Sequence, residues 1–313
     1  MGRFRPPELV FVFVGLVAAA GLLTAFQFRS ETKLVRLLVT VKDPAGTIVG
    51  DLQKSDFKVF DNGVEQQVAV FEHHTAQPLS VSLLVDTSGS TAKDLKFETD
   101  SSAKFLRALF KEGNDDDTAA LYSFNWQVTS ISPFTRRLGR LEDGLKRLKA
   151  EGGTSLYDGI VFASRDLESR QGRRVVIVVT DGGDTTSSWK YQDAMTWLHK
   201  SDSVMYGILV VPIINNAGRN LGGEHALDTL TKGSGGVVFT PSESSSLDQA
   251  FAAILRDLRT QYFVGYYPKN TPRTGNRFHT IRIAPPRPGL QVQTRTGYYG
   301  SSDESASTIE TGR

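Results

Sequence analysis

Residues 79–90 read LSVSLLVDTSGS, an apolar run that ends in an aspartate and then a Ser/Gly turn. Leu83-Leu84-Val85 do not alternate as a half-buried strand would, so the run reads as a strand covered on both faces. Four more β-rich runs follow: TAALYSF (118–124), VVIVVT (175–180), VMYGILVV (204–211) and GVVFT (236–240). Helix-compatible stretches separate most of them, at 92–111, 138–150, 156–170, 191–200, 225–232 and 247–260. Buried strands alternating with helices require parallel crossovers, because a tight hairpin cannot join parallel neighbours. Residues 79–260 are therefore predicted to form a doubly wound α/β domain with a mostly parallel sheet. No helix-compatible stretch follows 118–124, so residues 125–135 are expected to return as a hairpin strand.

Outside this region the pattern is antiparallel. LVRLLVTVKD (34–43) precedes an Asp43-Pro44-Ala45-Gly46 turn, after which TIVG resumes extended character. FKVFDNGVEQQVAVFE (57–72) reads as a hairpin closed at Asn62-Gly63, where positive φ angles suit a tight turn. QYFVGYYP (261–268), FHTIRIAP (278–285) and LQVQTRTGYY (290–299) restore β character between Pro- and Gly-rich turns. The expected organisation is a β segment over 33–78 pairing with a second over 261–299, with the α/β domain inserted between them. The Ser/Thr/Glu-rich residues 300–313 read as a disordered tail.

Composition narrows the function classes. The 313 residues are 39% hydrophobic and 22% charged, with no cysteine. Disulfides, thiolate zinc sites, iron–sulfur ligation and cysteine nucleophiles are thereby excluded. Lys and Arg number 36 against 34 Asp and Glu, and the chain beyond residue 30 is formally neutral. A neutral chain with no basic stripe offers nothing to nucleic acid. There is neither a G-x-x-x-x-G-K-[ST] loop nor a G-x-G-x-x-G turn, so nucleotide is not expected either.

Residues 9–26, LVFVFVGLVAAAGLLTAF, carry no charge and follow Arg3 and Arg5. As a helix they would span roughly 27 Å, enough to cross a bilayer. The expectation is a signal or N-terminal membrane anchor over 1–30, with the body in the cell envelope outside the cytoplasm. Ala18-Ala19-Ala20 offers a cleavage pattern, but the apolar run continues past it, and retention as an anchor is favoured.

The chemistry sits on loops that follow strands, where ligands bind in open α/β sheets. Asp86-Thr87-Ser88-Gly89-Ser90 follows the first strand, Gly152-Gly153-Thr154-Ser155 precedes the helix at 156, and Asp181-Gly182-Gly183-Asp184 follows VVIVVT. A hard divalent cation takes carboxylate, hydroxyl and water oxygens. Asp86, Ser88, Ser90, Thr154 and Asp181 could supply them from three neighbouring loops. Each loop alone is more often a helix cap or a turn. Their coincidence on strand-to-helix loops of one sheet is what favours a metal site. Asp158 and Asp184 could support those ligands or simply cap and face solvent.

Here the sequence resembles the von Willebrand factor A domain family with its metal-ion-dependent adhesion site. Asp86, Ser88, Ser90, Thr154 and Asp181 match that motif in chain order. The flanks, DFKVFDNGVEQQV before and YFVGYYP…PGLQV…GYY after, resemble exported A-domain-related proteins of Acidobacteria and similar bacteria. Thr91 departs from the apolar residue, often Met, of many members. The resemblance implies Mg²⁺ or Mn²⁺, with Ca²⁺ compatible outside the cytoplasm. It also implies one coordination position open to an Asp or Glu of a protein partner, and in several relatives coupling to movement of the last helix. A non-enzymatic, metal-dependent binding protein is the expected function. A structural envelope module with a stabilising metal site is the alternative.

A metal-assisted hydrolase is disfavoured. Ser88 and Ser234 both lack the G-x-S-x-G frame of a nucleophile elbow, and no general base accompanies them. The histidines at 73, 74, 199, 225 and 279 are scattered and read as surface or satisfied polar residues. His73 and His74, adjacent on a strand, would point to opposite faces and make a poor metal pair. Tyr266-Tyr267 and Tyr298-Tyr299 read as strand residues packing the β segments rather than as a binding surface.

Overall fold

The computed structural model describes residues 33–73, 77–210, 220–241, 244–272 and 274–300. The expected anchor at 1–30, the tail from 301 and His74 lie outside the described residues. Among the described residues no helix is long and apolar enough to cross a membrane.

The chain begins with β1 (Val35–Lys42), β2 (Lys58–Asp61), β3 (Val64–Gln66) and β4 (Val68–Glu72). The α/β region follows with β5 (Leu79–Asp86), α1 (Leu95–Glu112), β6 (Thr118–Phe124), β7 (Val128–Thr135), α2 (Leu138–Leu145) and α3 (Leu156–Glu168). It continues through β8 (Arg173–Thr180), α4 (Tyr191–Lys200), β9 (Ser203–Leu209), α5 (Leu221–Ser234), β10 (Val238–Phe239) and α6 (Ser244–Thr260). The chain closes with β11 (Tyr262–Tyr266), β12 (Phe278–Ala284), β13 (Gln291–Gln293) and β14 (Gly297–Tyr299).

The central sheet has the order β10-β9-β8-β5-β6-β7, parallel except for the antiparallel edge strand β7. Every residue of β5 and β9 is buried, as expected of strands covered on both faces. Leu83 and Val85 pack with α1, α2 and α6 residues such as Phe105, Leu141 and Phe251. Leu84, Val176 and Val178 face the other way, against Ile160 of α3, Leu198 of α4 and Leu227 of α5. The period-2 geometry of the strands thus divides one apolar run between two helical layers.

The β segments from the two ends of the chain pair with each other. One antiparallel sheet runs β13-β1-β11-β4 and another runs β14-β12-β2-β3. Val39 of β1, Val59 of β2, Val264 of β11 and Ile281 of β12 share one core. The hairpin expected over 57–72 forms only in part. Asn62 (φ 46°) and Gly63 (φ 82°) turn β2 into β3, but β4 leaves for the other sheet and pairs with β11. A short strand of alternating burial can serve two sheets when one residue, here Gln67, breaks the register between its halves.

Two helix starts also differ from the sequence reading. The stretch expected to be helical from 92 begins with a 3-10 turn over Gly89–Lys93, and α1 starts only at Leu95. Helix α5 begins earlier than expected, at Leu221, because Asn220 Oδ1 accepts from Gly223 N at 2.9 Å and caps it.

Candidate metal centre

Strand β5 passes to β6 on one side, while the chain later returns to β8 on the other side of β5. The order of the sheet therefore reverses between β5 and β8, and the carboxyl ends of those two strands flank a crevice. Asp86 ends β5 and Thr180 ends β8, with Asp181 next in sequence.

Asp86 is fully buried. Its Oδ1 accepts from Ser88 N at 2.8 Å and its Oδ2 accepts from the Thr180 hydroxyl at 2.6 Å. Burial, reinforced by the charge of Asp181, pushes the carboxyl up to about 6 despite those hydrogen bonds. The Ser88 and Ser90 hydroxyl oxygens lie 3.1 Å apart at the mouth of the turn. Ser90 does not cap α1, since the 3-10 turn intervenes. Thr91 is buried and donates to the Ser88 carbonyl at 2.9 Å, which makes a hydroxyl fit where an apolar residue was expected.

The second loop, expected to run from a strand to a helix, instead joins α2 to α3, and it is stitched across the first. Glu151 N donates to Thr87 O at 2.8 Å, and Gly89 N donates to Gly152 O at 3.0 Å. Thr154, 6% exposed, is held from the third loop: its amide donates to Thr185 Oγ1 at 2.8 Å, and its carbonyl accepts from Thr185 N at 2.8 Å and Thr186 N at 3.1 Å. The half-buried Asp181 acts electrostatically on Asp86. The structure thus gathers the loops carrying Asp86, Ser88, Ser90, Thr154 and Asp181 around one crevice.

Asp158 and Asp184 tie loops to α3. Asp184 Oδ1 accepts from Tyr157 N at 3.2 Å and from the Ser187 hydroxyl, at the start of that helix. Asp158 accepts from Ser188 N at 3.1 Å and Trp189 N at 2.8 Å.

One residue of this region escaped the sequence reading. Glu98 of α1 is fully buried, and neither carboxylate oxygen has a protein hydrogen-bond partner. Burial above all, then the charges of Asp86, Asp181 and Asp94, push it up to about 8. A signal was present: Leu95, Glu98, Ser102, Phe105 and Leu109 recur at helical spacing on the buried face of α1.

The donor chemistry fits a divalent cation. Among the described residues Asp86, Asp94, Glu98 and Asp181 form no ion pair with lysine, arginine or histidine. A crevice with desolvated carboxylates and no basic partner is electrostatically incomplete. No cluster of three or more His, Cys, Asp or Glu side chains suited to a metal occurs among the described residues. The set assembled here differs in kind, with two carboxylates and three hydroxyls, the oxygen-only chemistry that suits magnesium.

Two of the histidines read as surface or satisfied polar residues are buried. His279 pairs with Asp61 at 2.8 Å, and both are buried. His199 is 5% exposed, its ring edge against Phe278, and burial with the nearby Arg295 charge lowers it to about 4.

Residues 81–183 match the family model of the von Willebrand factor type A domain. No curated protein matches the chain. The fold is similar to the vWF domain of the type V pili tip protein Mfa5 from Porphyromonas gingivalis, at 13% identity and a TM-score of 0.47, covering 58% of this chain and 95% of that one. It is similar to the PilB minor pilin from Streptococcus sanguinis at 13% identity and a TM-score of 0.47, covering 58% of this chain and 61% of that one. A von Willebrand factor type A protein from Catenulispora acidiphila matches 91% of this chain and 78% of its own, at 12% identity and a TM-score of 0.48. The segment that carries Asp86, Ser88, Ser90, Thr154 and Asp181 is thus the segment that matches the type A domain model.

Proposed function

We propose that this protein is a non-enzymatic binding protein of the cell envelope that holds a divalent cation with Asp86, Ser88, Ser90, Thr154 and Asp181. The cation, Mg²⁺ in the first instance, would offer an open position to an Asp or Glu of a protein partner. The observation that carries the reading is the convergence of three separate loops on the β5/β8 crevice, with uncompensated carboxylates behind them. When bound, the cation supplies positive charge and a coordination site for a carboxylate. Asp86 and Asp181 contribute the charge that attracts it, and Thr180 and Ser88 N hold Asp86 in place. The envelope location rests on the uncharged run at 9–26 behind Arg3 and Arg5.

The test is a calorimetric Mg²⁺ titration of the wild type and Asp86→Ala, followed by capture from cell-envelope extract in Mg²⁺ and in EDTA. Saturable binding lost in the variant, with capture lost in EDTA, supports the proposal. Capture that survives both treatments, while EDTA lowers only the melting temperature, leaves the cation a structural stabiliser and overturns it.

A further inference from the structure

The rim of the crevice is apolar as well as charged. Among the described residues five large apolar side chains are notably exposed: Trp126, Phe162, Trp189, Leu221 and Tyr267. Three of them, Trp126 at 56% and Trp189 at 43% on loops and Leu221 at 68% at the start of α5, stand on segments that border the candidate metal centre. Tryptophan is highly buried on average, so two exposed indoles on one rim are informative where a lone exposed leucine is not.

The backbone beneath each of the three is held in place. Trp126 sits at the tip of a turn closed by Asn125 N to Gln127 O at 3.0 Å, and the Asn125 carbonyl accepts from Ser155 N. Its ring lies against Gly152, whose carbonyl bonds to Gly89 beside the serine pair. The backbone of Trp189 is pinned to Asp158 at 2.8 Å, one turn into α3. Leu221 opens α5, where Gly223 lies directly against Gly183 of the Asp181 loop and Asn220 caps the helix. A surface whose backbone is fixed in this way loses less conformational freedom when it is covered than a mobile loop would.

We propose that Trp126, Trp189 and Leu221 form an apolar collar that receives the residues flanking a partner's acidic side chain, so that the site selects an Asp or Glu lying beside large apolar residues. The inference rests on the metal-dependent reading above and names the class of partner that reading leaves open. An isolated cation–carboxylate contact at a wet surface is weak, because water competes for both charges. The indoles of the two loops bonded to the start of α3 would exclude that water on closure and supply the apolar area that dominates interface energetics. The crevice provides attraction for negative charge once a cation is held, and the collar provides none. The two together therefore select a mixed acidic and apolar segment, not a polyanion and not a greasy peptide.

The experiment is panning of a random-peptide phage library on the immobilised full chain, eluting with EDTA, alongside Asp86→Ala and the double variant Trp126→Ser/Trp189→Ser. Both tryptophans are exposed, so the double variant should keep its far-ultraviolet circular dichroism and its Mg²⁺ titration. The expected result is enrichment of peptides with Asp or Glu within two positions of Leu, Ile, Phe or Trp. The strongest, resynthesised, should bind the double variant about tenfold more weakly, the effect of losing one good anchor. Acidic peptides with no apolar preference, or equal binding to the double variant, overturn the collar and leave the metal reading standing. Apolar peptides retained in EDTA and by Asp86→Ala overturn the metal reading and the selectivity proposed with it. No enrichment overturns the collar as well.

Discussion

The Thr180 hydroxyl donates to Asp86 Oδ2 at 2.6 Å, joining the ends of two adjacent parallel strands where the sheet reverses its order. Gly182 N donates to the same Thr180 oxygen at 3.2 Å, so one hydroxyl fixes the carboxylate and the start of the Asp181 loop together. Thr180→Val keeps the shape and removes the donor. The buried Asp86 oxygen then loses its partner, a cost of roughly 1–3 kcal/mol. Urea unfolding in EDTA should show that loss, and a wild-type midpoint in the variant would contradict it. Saturating Mg²⁺ should restore part of it, because a ligand that binds only the folded state adds about 2.7 kcal/mol at a hundredfold excess over Kd.

The metal-free protein should lose stability as pH rises. Asp86 moves from 3.8 unfolded to about 6 folded, and Glu98 moves from 4.5 to about 8. A carboxyl raised in the folded state is favourable while both states are protonated, and that advantage disappears as the pH climbs through the folded value. For Asp86 the decline falls between about pH 4 and 6, and for Glu98 between about pH 4.5 and 8. Glu98→Gln should flatten the curve above pH 6 and raise stability at pH 8 by on the order of 2–4 kcal/mol. Denaturant midpoints in EDTA across that range measure it. An unchanged slope in the variant would show that Glu98 is not the group responsible.

The parts of this molecule legible in the sequence are those where one residue type has one physical use. An unbroken apolar run such as 175–179 reads as a strand covered on both faces, and its neighbours then point to a parallel sheet. Asp86, Ser88, Ser90 and Asp181 are visible because oxygen donors follow strands β5 and β8, and Thr154 because it stands just before α3. Where the sequence misleads, a residue has two uses and the surroundings choose. Glu98 resembles a solvated helix residue until its spacing with Leu95 and Phe105 is weighed. Whether His279 is a surface or a satisfied polar residue is undecided in the sequence because its partner Asp61 is 218 positions away in the chain. The division of 64–72 between two sheets depends on β11, a strand not met until residue 262.

That distant pair leads to a third prediction. Asp61 is fully buried and accepts from Tyr266 Oη at 2.9 Å and from Tyr298 Oη at 2.8 Å, with His279 Nδ1 at 2.8 Å. The cluster joins β11 of one antiparallel sheet to β2, β12 and β14 of the other. Asp61→Ala removes the partner shared by Tyr266, Tyr298 and His279 and should cost roughly 3–5 kcal/mol. Tyr266→Phe removes one donor to a charged acceptor, about 1.5–3 kcal/mol, and pairing it with Tyr298→Phe should be non-additive because both serve one oxygen. Additive effects in equilibrium denaturation would mean that the two hydroxyls act independently.

The loop across the metal centre gives the last prediction. Gly152 has φ +74°, a conformation that L residues rarely adopt, and a Cβ there would meet the Trp126 ring. Gly152→Ala therefore combines a left-handed backbone cost of about 1–2 kcal/mol with a clash. The relief open to the chain is to swing the indole outward or to pull Gly152 O away from Gly89 N. Either movement changes the environment of Trp126, and the second also loosens the turn that carries Ser88 and Ser90. The expected outcome is a shifted tryptophan emission spectrum with Mg²⁺ affinity lowered several-fold, while the secondary structure seen by circular dichroism is retained. Trp126→Ser in the same background removes the clash but keeps the backbone strain. It should recover part of the Mg²⁺ affinity, and failure to recover any would assign the whole defect to the backbone at 152.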